Sequence, residues 1–514
     1  MVFLISLFTS CEDFVEVDSF DPNADNFFQS EQEYVDALTG AYDLLQSTYL
    51  NVLVGEIASD NTIAGGENPT NEIGIQLIDQ MSHVPENVQL RQIWSWMYGG
   101  VNRASYVLEF ENEGAEFEDK ANILAQARFL RAYYYFELVK WFGGVPLKTD
   151  GRIQFGQENS IDRASKEEVY AAIENDLLIA IDNLPETQPE AGRVTKGAAR
   201  ALLGKAYLYQ NKFDLAAEVL DEVIISGRYK LLQDEAYQAM FENVPDTLEN
   251  GMLVGGENTA ESVFEIQYTD AEGASFQCLQ CSEGNVAVGF SGIRGYRAEN
   301  LNDTIRNSPE NLVFDTGFSF NLPTQEVVDA FEDGDFREDV SILDIEEWIE
   351  ERKAIYTIAY EGTDRFGNPS GHTGYYNRKY LPRKGDLNNG DQNLTNPNNY
   401  RAIRFADVLL MAAEAHAKRS APDNATAVDY LNRVRNRAKL PNTTASGGQG
   451  LIDAIYQDRR VELVGEGHRF FDLVRTGRAA QEILGFEPGK HEVFPIPQVE
   501  LDLVENRWEQ NPGY

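Results

Sequence analysis

The sequence predicts a mainly α-helical protein in which tetratricopeptide-like helix pairs frame a loop-rich insertion with short strands. Three observations carry the prediction: a small-residue and aromatic spacing that recurs along the chain, capping boxes that open amphipathic runs, and a change of character between about Pro245 and Tyr400.

The helices announce themselves in order. Ser30-Glu31-Gln32-Glu33 is a capping box, in which the Ser hydroxyl and the Glu carboxylate satisfy amides that a helix start leaves orphaned; Val35, Leu38, Tyr42 and Leu45 follow on one face. Helical stretches are expected from Gln89 to Phe110 and from Asn122 to Trp141, the second ended by Gly143, Gly144 and Pro146. Another capping box, Ser165 to Glu168, opens a helix carrying Val169, Ile173, Leu177 and Ala180 that stops at Pro185.

Repetition links these helices. Leu203, Gly204, Tyr207, Ala216, Leu220 and Val223 have the spacing of a tetratricopeptide pair, where a small residue on each helix lets the other approach. Ala132 and Tyr135 repeat the Gly204/Tyr207 spacing, with Leu177, Ala180 and Pro185 as the matching second helix. Ala413 and His416, followed by Ala427, Leu431 and Val434, give a looser third copy. An unrelated α-bundle is the alternative. Between the second and third copies, Gly, Asn, Pro and Tyr/Phe rise and helical periodicity fails. Strand-like runs at Ser262 to Tyr268 and Lys353 to Tyr360 stand among loops, where binding residues tend to sit. Helices resume at about Ala402 and run to about Leu484.

Composition excludes several function classes. The 514 residues carry 84 Asp+Glu against 43 Lys+Arg, a formal net charge of −41, which opposes binding to nucleic acid or an anionic bilayer. With 42% hydrophobic residues the chain is ordinary globular protein. No apolar run approaches the roughly 20 residues of a spanning helix. The opening MVFLISLFTS nevertheless runs straight into Cys11, as in a bacterial lipoprotein signal peptide cut before a cysteine that becomes lipidated; a frayed terminus with an incidental cysteine is the alternative. Glu12 and Asp13 after it resemble the surface-export signal of Bacteroidetes lipoproteins.

Enzyme motifs fail in turn. None of the five histidines, His83, His372, His416, His468 and His491, forms an HExxH pair. Gly485 to Lys490 is one residue short of a phosphate loop, and Gly448-Gln449-Gly450 lacks the third glycine of a dinucleotide fingerprint. No GxSxG elbow occurs, whereas a pair of glycosidase carboxylates among so many acids stays open. Cys278-Leu-Gln-Cys281 has no second ligand pair for zinc, leaving a local disulfide or free thiols; Asp386 to Asp391 misplaces the glycine of a calcium loop. No metal or cofactor is expected. What remains is aromatic and polar surface suited to sugars, which stack C–H faces on rings and bond hydroxyls to Asp, Asn and Arg. Trp94 and Trp96 lie two apart, so on a helix either one packs inward while the other faces a groove, or both are core. Arg294, Tyr296, Trp348 and Tyr375-Tyr376 lie in the loop-rich region and are expected to be exposed.

Six blocks in order resemble the SusD/RagB family of Bacteroidetes outer-membrane lipoproteins: Trp94 to Leu108, Arg128 to Leu147, Arg193 to Tyr209, Arg404 to Ala415, Asp458 to Thr476, and the tail Phe494 to Tyr514. The resemblance implies a single α-helical unit with tetratricopeptide-like pairs and no enzymatic activity. It also implies a surface lid on a SusC-like TonB-dependent transporter that captures oligosaccharides, or peptides in some branches, for import. A surface hydrolase on a helical scaffold is the competing class. In these terms residues 1–10 are a signal peptide, 11–29 a tether, 30–245 the helical N-terminal region, 246–400 the insertion and 401–514 the C-terminal helices and tail. The cluster Arg459, Arg460, Glu462, Glu466, Arg469 and Asp472 looks like an ion-pair network locking those helices onto the frame. Glu56 to Asn61 resembles the family loop that gives a ligand-binding acid, which makes Asp60 the first ligand candidate and Trp96 the second, as stacking platform. Arg294, Tyr296, Trp348, Tyr375 and Arg378 follow from loop placement, and Arg294, Arg378 and Arg383 can make the site locally basic within an acidic whole.

Overall fold

Close approach between helices needs small residues at the crossing, and the frame supplies them. The computed structural model describes residues 27–514, apart from 155, 158–159, 242–246, 250–251, 272–274, 301–313, 362–371 and 383–392. The expectations for Cys11, the signal peptide, the Asp386 to Asp391 turn and Arg383 therefore lie outside the described residues. The first helices are α1 (Glu31–Asp43), α2 (Tyr49–Ile57), α3 (Ile73–Asp79), α4 (Val88–Glu109) and α5 (Lys120–Phe142). Then come α6 (Lys166–Asn183), α7 (Lys196–Tyr209), α8 (Phe213–Ile225) and the short α9 (Asp234–Ala239). The insertion adds α10 (Val286–Ser291), α11 (Gln325–Val328), α12 (Phe336–Ser341) and α13 (Ile345–Arg352). The chain returns to the frame with α14 (Phe405–Lys418), α15 (Asn424–Arg437), α16 (Gly448–Glu462) and α17 (Arg469–Arg475).

Both capping boxes form with reciprocal hydrogen bonds, Ser30 with Glu33 and Ser165 with Glu168. The three expected pairs are α5 on α6, α7 on α8 and α14 on α15, and α8 packs directly on α14 so that the frame continues across the insertion. Ala132, Ala180, Ala216, Ala413 and Ala427 are all wholly buried at these crossings. Gly204 leaves no room either: a Cβ there would lie 2.5 Å from Leu220 Cδ2, closer than van der Waals contact permits. Gly204→Val is therefore expected to cost about 1–3 kcal/mol by overpacking, read by urea unfolding; an unchanged midpoint would mean that α8 yields freely.

The insertion is built from short antiparallel pairs. Strand β1 (Thr62–Gly65) comes from the N-terminal region; β2 (Thr247–Glu249) and β3 (Met252–Gly255) form a hairpin, and β4 (Ser262–Ile266), β5 (Arg297–Glu299) and β6 (Phe320–Pro323) follow. The last are β7 (Ile342–Asp344), β8 (Thr357–Ala359), β9 (Tyr375–Asn377) and β10 (Tyr400–Arg404). β1 pairs with β6, setting Ile63 opposite Leu322 and Gly65 opposite Phe320; β10 pairs with β4, β5 with β8 and β7 with β9. The insertion holds a core of its own, in which Ile293, Tyr296, Phe314, Trp348, Tyr376 and Leu381 bury their side chains together. The strand-like run expected from Lys353 is shorter, and the helix α13 before it was not anticipated.

Insertion and C-terminal helices meet at a buried charge cluster. Arg404, at the end of β10, donates to Glu261 at 2.7 Å, to Glu462 at 2.8 Å and with two nitrogens to Glu466 at 2.8 Å. Lys379 reaches Glu466 at 2.6 Å, and Arg437 pairs with Glu462. All six side chains are wholly buried. Beside it Arg459 bridges Asp407 and Asp472, and Arg475 joins Glu414 to Asp472. The network expected from the 458–476 block is present and extends into the insertion.

Candidate functional site

Two sequence candidates belong to packing. Asp60, the first ligand candidate, accepts from Arg469 Nε and Nη2 at 2.7 and 2.8 Å and pairs with Arg460 at 2.9 Å, its side chain only 4% exposed. Burial opposes its ionisation, but the hydrogen bonds and charges of Arg469 and Arg460 outweigh that and hold the carboxyl below its ordinary range. Asp60 thus joins the ion-pair network. Trp96 is 8% exposed in the main core, with its ring 6.0 Å from that of Tyr49, so it offers no open face for stacking. Trp94 lines a cleft of about 200 Å³ with Tyr98 and Trp508, yet it too is 3% exposed and packs edge-on against Phe142.

The insertion's own core accounts for most of the remaining candidates. Tyr296 and Trp348 are buried in it, Trp348 against Phe314 at 4.8 Å and beneath the Arg352 guanidinium. They were expected to be exposed because they lie among loops; the correction is that these loops enclose a second hydrophobic cluster. Tyr375 is half-buried and donates its hydroxyl to Gln325 at 2.9 Å. Arg378 donates to the Asp339 carbonyl at 2.6 Å, and its guanidinium lies 5.8 Å from the Trp348 ring. Tyr296, Trp348 and Arg378 thus gather at the insertion's own core.

Arg294 alone sits in a polar and aromatic surface. Its Nη2 donates to the Phe318 carbonyl at 2.9 Å and to Asn71 Oδ1 at 3.4 Å, while Nη1 lies 4.0 Å from the Glu67 carboxylate. The loop it meets, residues 66–72, is shaped by its own short polar side chains: Asn68 accepts from the Thr70 amide, and Asn71 from the Glu67 amide. Gly66 begins that loop at φ +86°, and a Cβ there would strike the Phe320 ring at 2.8 Å, so glycine alone allows it to lie flat on β6. Buried His372 bonds the Gly66 carbonyl at 3.1 Å from below, and burial lowers its pKa. Glu67, Asn68 and Thr70 are exposed along the rim. Half-buried Phe318 meets the exposed Phe276 ring at 5.7 Å, and Phe276 lies two residues before a Cys278–Cys281 disulfide, the first of the two readings left open for that pair. Phe276, Phe318, Asn71 and Glu67 were not singled out in the sequence. The available signal was a lone aromatic among Ser and Gln, two residues before a cysteine pair.

Glu56, in the same segment as Asp60, is wholly buried and accepts from the Gly467 amide at 2.8 Å. Burial pushes its carboxyl up to about 7, against the pull of the Gly467 and Gly465 amides and the Lys379 charge. The neutral form is therefore favoured by folding: its contribution is complete below the unfolded carboxyl value of about 4.3 and is lost as pH rises through 7. Glu56→Gln keeps the acceptor and cannot ionise. It is expected to melt with wild type at pH 4 and to gain up to about 3 kcal/mol over it at pH 8.5; equal melting at both pH values would place the Glu56 carboxyl in its ordinary range.

Among the described residues no group of three His, Cys, Asp or Glu is placed to hold a metal ion, and no helix is long and apolar enough to cross a membrane. Comparison with known proteins agrees with the fold. The SusD family profile matches residues 261–492, and a family described as starch-binding, associating with the outer membrane, matches residues 13–208. A solved laminarin-binding SusD-like protein is 33% identical, with a TM-score of 0.80 over 95% of this chain and 100% of that one. Surface glycan-binding protein A from Bacteroides thetaiotaomicron, solved with laminarihexaose, is 25% identical, with a TM-score of 0.76 over 94% of this chain and 99% of its own. SusD-like protein P2 of Formosa agariphila is 26% identical over 95% of this chain and 94% of its own length.

Proposed function

Because the chain belongs to the SusD family, we propose that it is a non-catalytic, surface-exposed lipoprotein of the outer membrane that captures an oligo- or polysaccharide and delivers it to a SusC-like TonB-dependent transporter. Cys11 is the lipid-bearing residue in this reading, and residues 11–29 tether the folded part to it. The surface around Arg294 is the capture site. Its support is the combination of an exposed ring, a guanidinium and exposed amide and carboxylate groups within one patch, which matches what a neutral sugar offers: apolar C–H faces and a rim of hydroxyls. A glucan of the laminarin type is the first ligand to test, since the similar laminarin-binding protein is 33% identical over nearly the whole chain.

Titration calorimetry against laminarin, laminarihexaose and a panel of other polysaccharides tests the reading. Binding to at least one glycan is expected, with Arg294→Ala weakening it about tenfold or more through loss of charge-assisted hydrogen bonds. Prolonged incubation should leave the glycan intact. Binding to peptides with none to any glycan would move the protein to the peptide-capturing branch, and product release that tracks a single carboxylate would make it a hydrolase.

A further inference from the structure

Resting on the glycan-binding reading above, we propose that Phe276 is the stacking face of the site and that the Cys278–Cys281 disulfide is the element that positions it. Among the described residues Phe276 is the one exposed phenylalanine or tryptophan, at 54%. An apolar ring left in water forgoes the stabilisation that burial gives. No core holds it there. Its loop is shaped by local bonds: the Cys278 amide donates to the Ser275 carbonyl at 3.0 Å, the Cys281 amide to the Cys278 carbonyl at 3.1 Å, and the Gln277 amide to Ser275 Oγ at 3.1 Å. Ser275, Gln277 and Gln280 are exposed, so the residues beside Phe276 have no packing of their own to fix them. The disulfide adds a covalent tie across a separation of three residues, beginning two positions after Phe276.

The far end of the loop is anchored. Ser282 is buried and donates to the Leu394 carbonyl at 2.8 Å, and Leu279 packs against the main core. The bridge therefore transmits a fixed position from Ser282 and Leu279 back toward Phe276. There the Phe276 ring meets Phe318 at 69° between planes, giving an angled apolar wall, and the Arg294 guanidinium lies 6.0 Å from the Phe318 ring. A pyranose laid on Phe276 brings its rim hydroxyls toward Arg294 and the 66–72 loop. Holding the ring in place beforehand spares the ligand the entropic cost of ordering it.

The experiment is calorimetric titration of laminarihexaose into wild type, Phe276→Ala, Phe276→Trp, the double variant Cys278→Ser/Cys281→Ser, and Arg294→Ala, with a melting temperature for each. Phe276→Ala is expected to weaken binding about tenfold and Phe276→Trp to retain or strengthen it. The double serine variant is expected to bind about two- to tenfold more weakly at an unchanged melting temperature, because only local order is lost. Unchanged affinity in Phe276→Ala, while Arg294→Ala still loses binding, would overturn the stacking role and leave the glycan reading standing. Full affinity in the serine variant, or a loss matched by a lower melting temperature, would overturn the positioning role. Failure of wild type to bind any glycan would instead overturn the reading on which both rest.

Discussion

Replacing Arg404 by methionine is expected to remove about 3–5 kcal/mol of stability, enough to lower the urea midpoint severely or prevent folding at 37 °C. The side chain is wholly buried and bonds Glu261, Glu462 and Glu466 at 2.7–2.8 Å. Methionine fills much of the volume but leaves these carboxylates one cation short in a region water does not reach. A loss below about 1 kcal/mol would mean that Arg437 and Lys379 rearrange to share the vacated charge. The same cluster fixes the acid limb of the stability curve. Burial opposes ionisation of Glu462, but Arg437, Arg404 and Arg337 outweigh it and hold its carboxyl far below the ordinary range. That stabilisation is present above an unfolded value of about 4.3 and is lost as pH falls toward the depressed one. Glu56 acts with the opposite sign, so wild-type stability is expected to climb out of acid, decline as pH rises from about 4.3 to about 7, and level off above that.

Trp96→Ala is expected to cost about 3–5 kcal/mol, the usual range for deleting a large aromatic from a packed core. Its ring fills space beside Tyr49 between α4 and α2, and its 8% exposure leaves almost no surface for a ligand. The folded fraction of the variant should keep its glycan affinity. Unchanged melting with lost binding would restore Trp96 to the site as a stacking platform.

Local and periodic features were the most legible in sequence. Each capping box uses residues within one turn, and the Gly204–Leu220 crossing depends on spacing within two adjacent helices, so both survive without knowledge of the rest of the chain. Asp60 was misassigned because its partner Arg469 lies 409 residues downstream, and a carboxylate after a helix looks the same whether it meets a sugar or an arginine. Tyr296 and Trp348 were misplaced for a related reason. Aromatic residues in short, aperiodic strands carry no signal of which face they bury, and their shared core appears only when β7 pairs with β9 and α13 lies over it. Arg294 was placed in the site from loop position, but the loop that meets it comes from β1, on the other side of the frame in sequence.

The buried charge cluster also imposes an order on the making of the protein. Helices α4 to α7 contact mainly their neighbours in sequence and can pack before the C-terminal helices have been made. Glu261 cannot be neutralised until Arg404 arrives 143 residues later, and Arg404 in turn waits a further 58 residues for Glu462. The segment that bears Arg294 and Phe276 therefore stays unfinished until nearly the last helices have emerged. Truncation before Glu466 is expected to yield a folded N-terminal frame carrying an unstructured middle, a species open to proteolysis rather than one that competes for ligand.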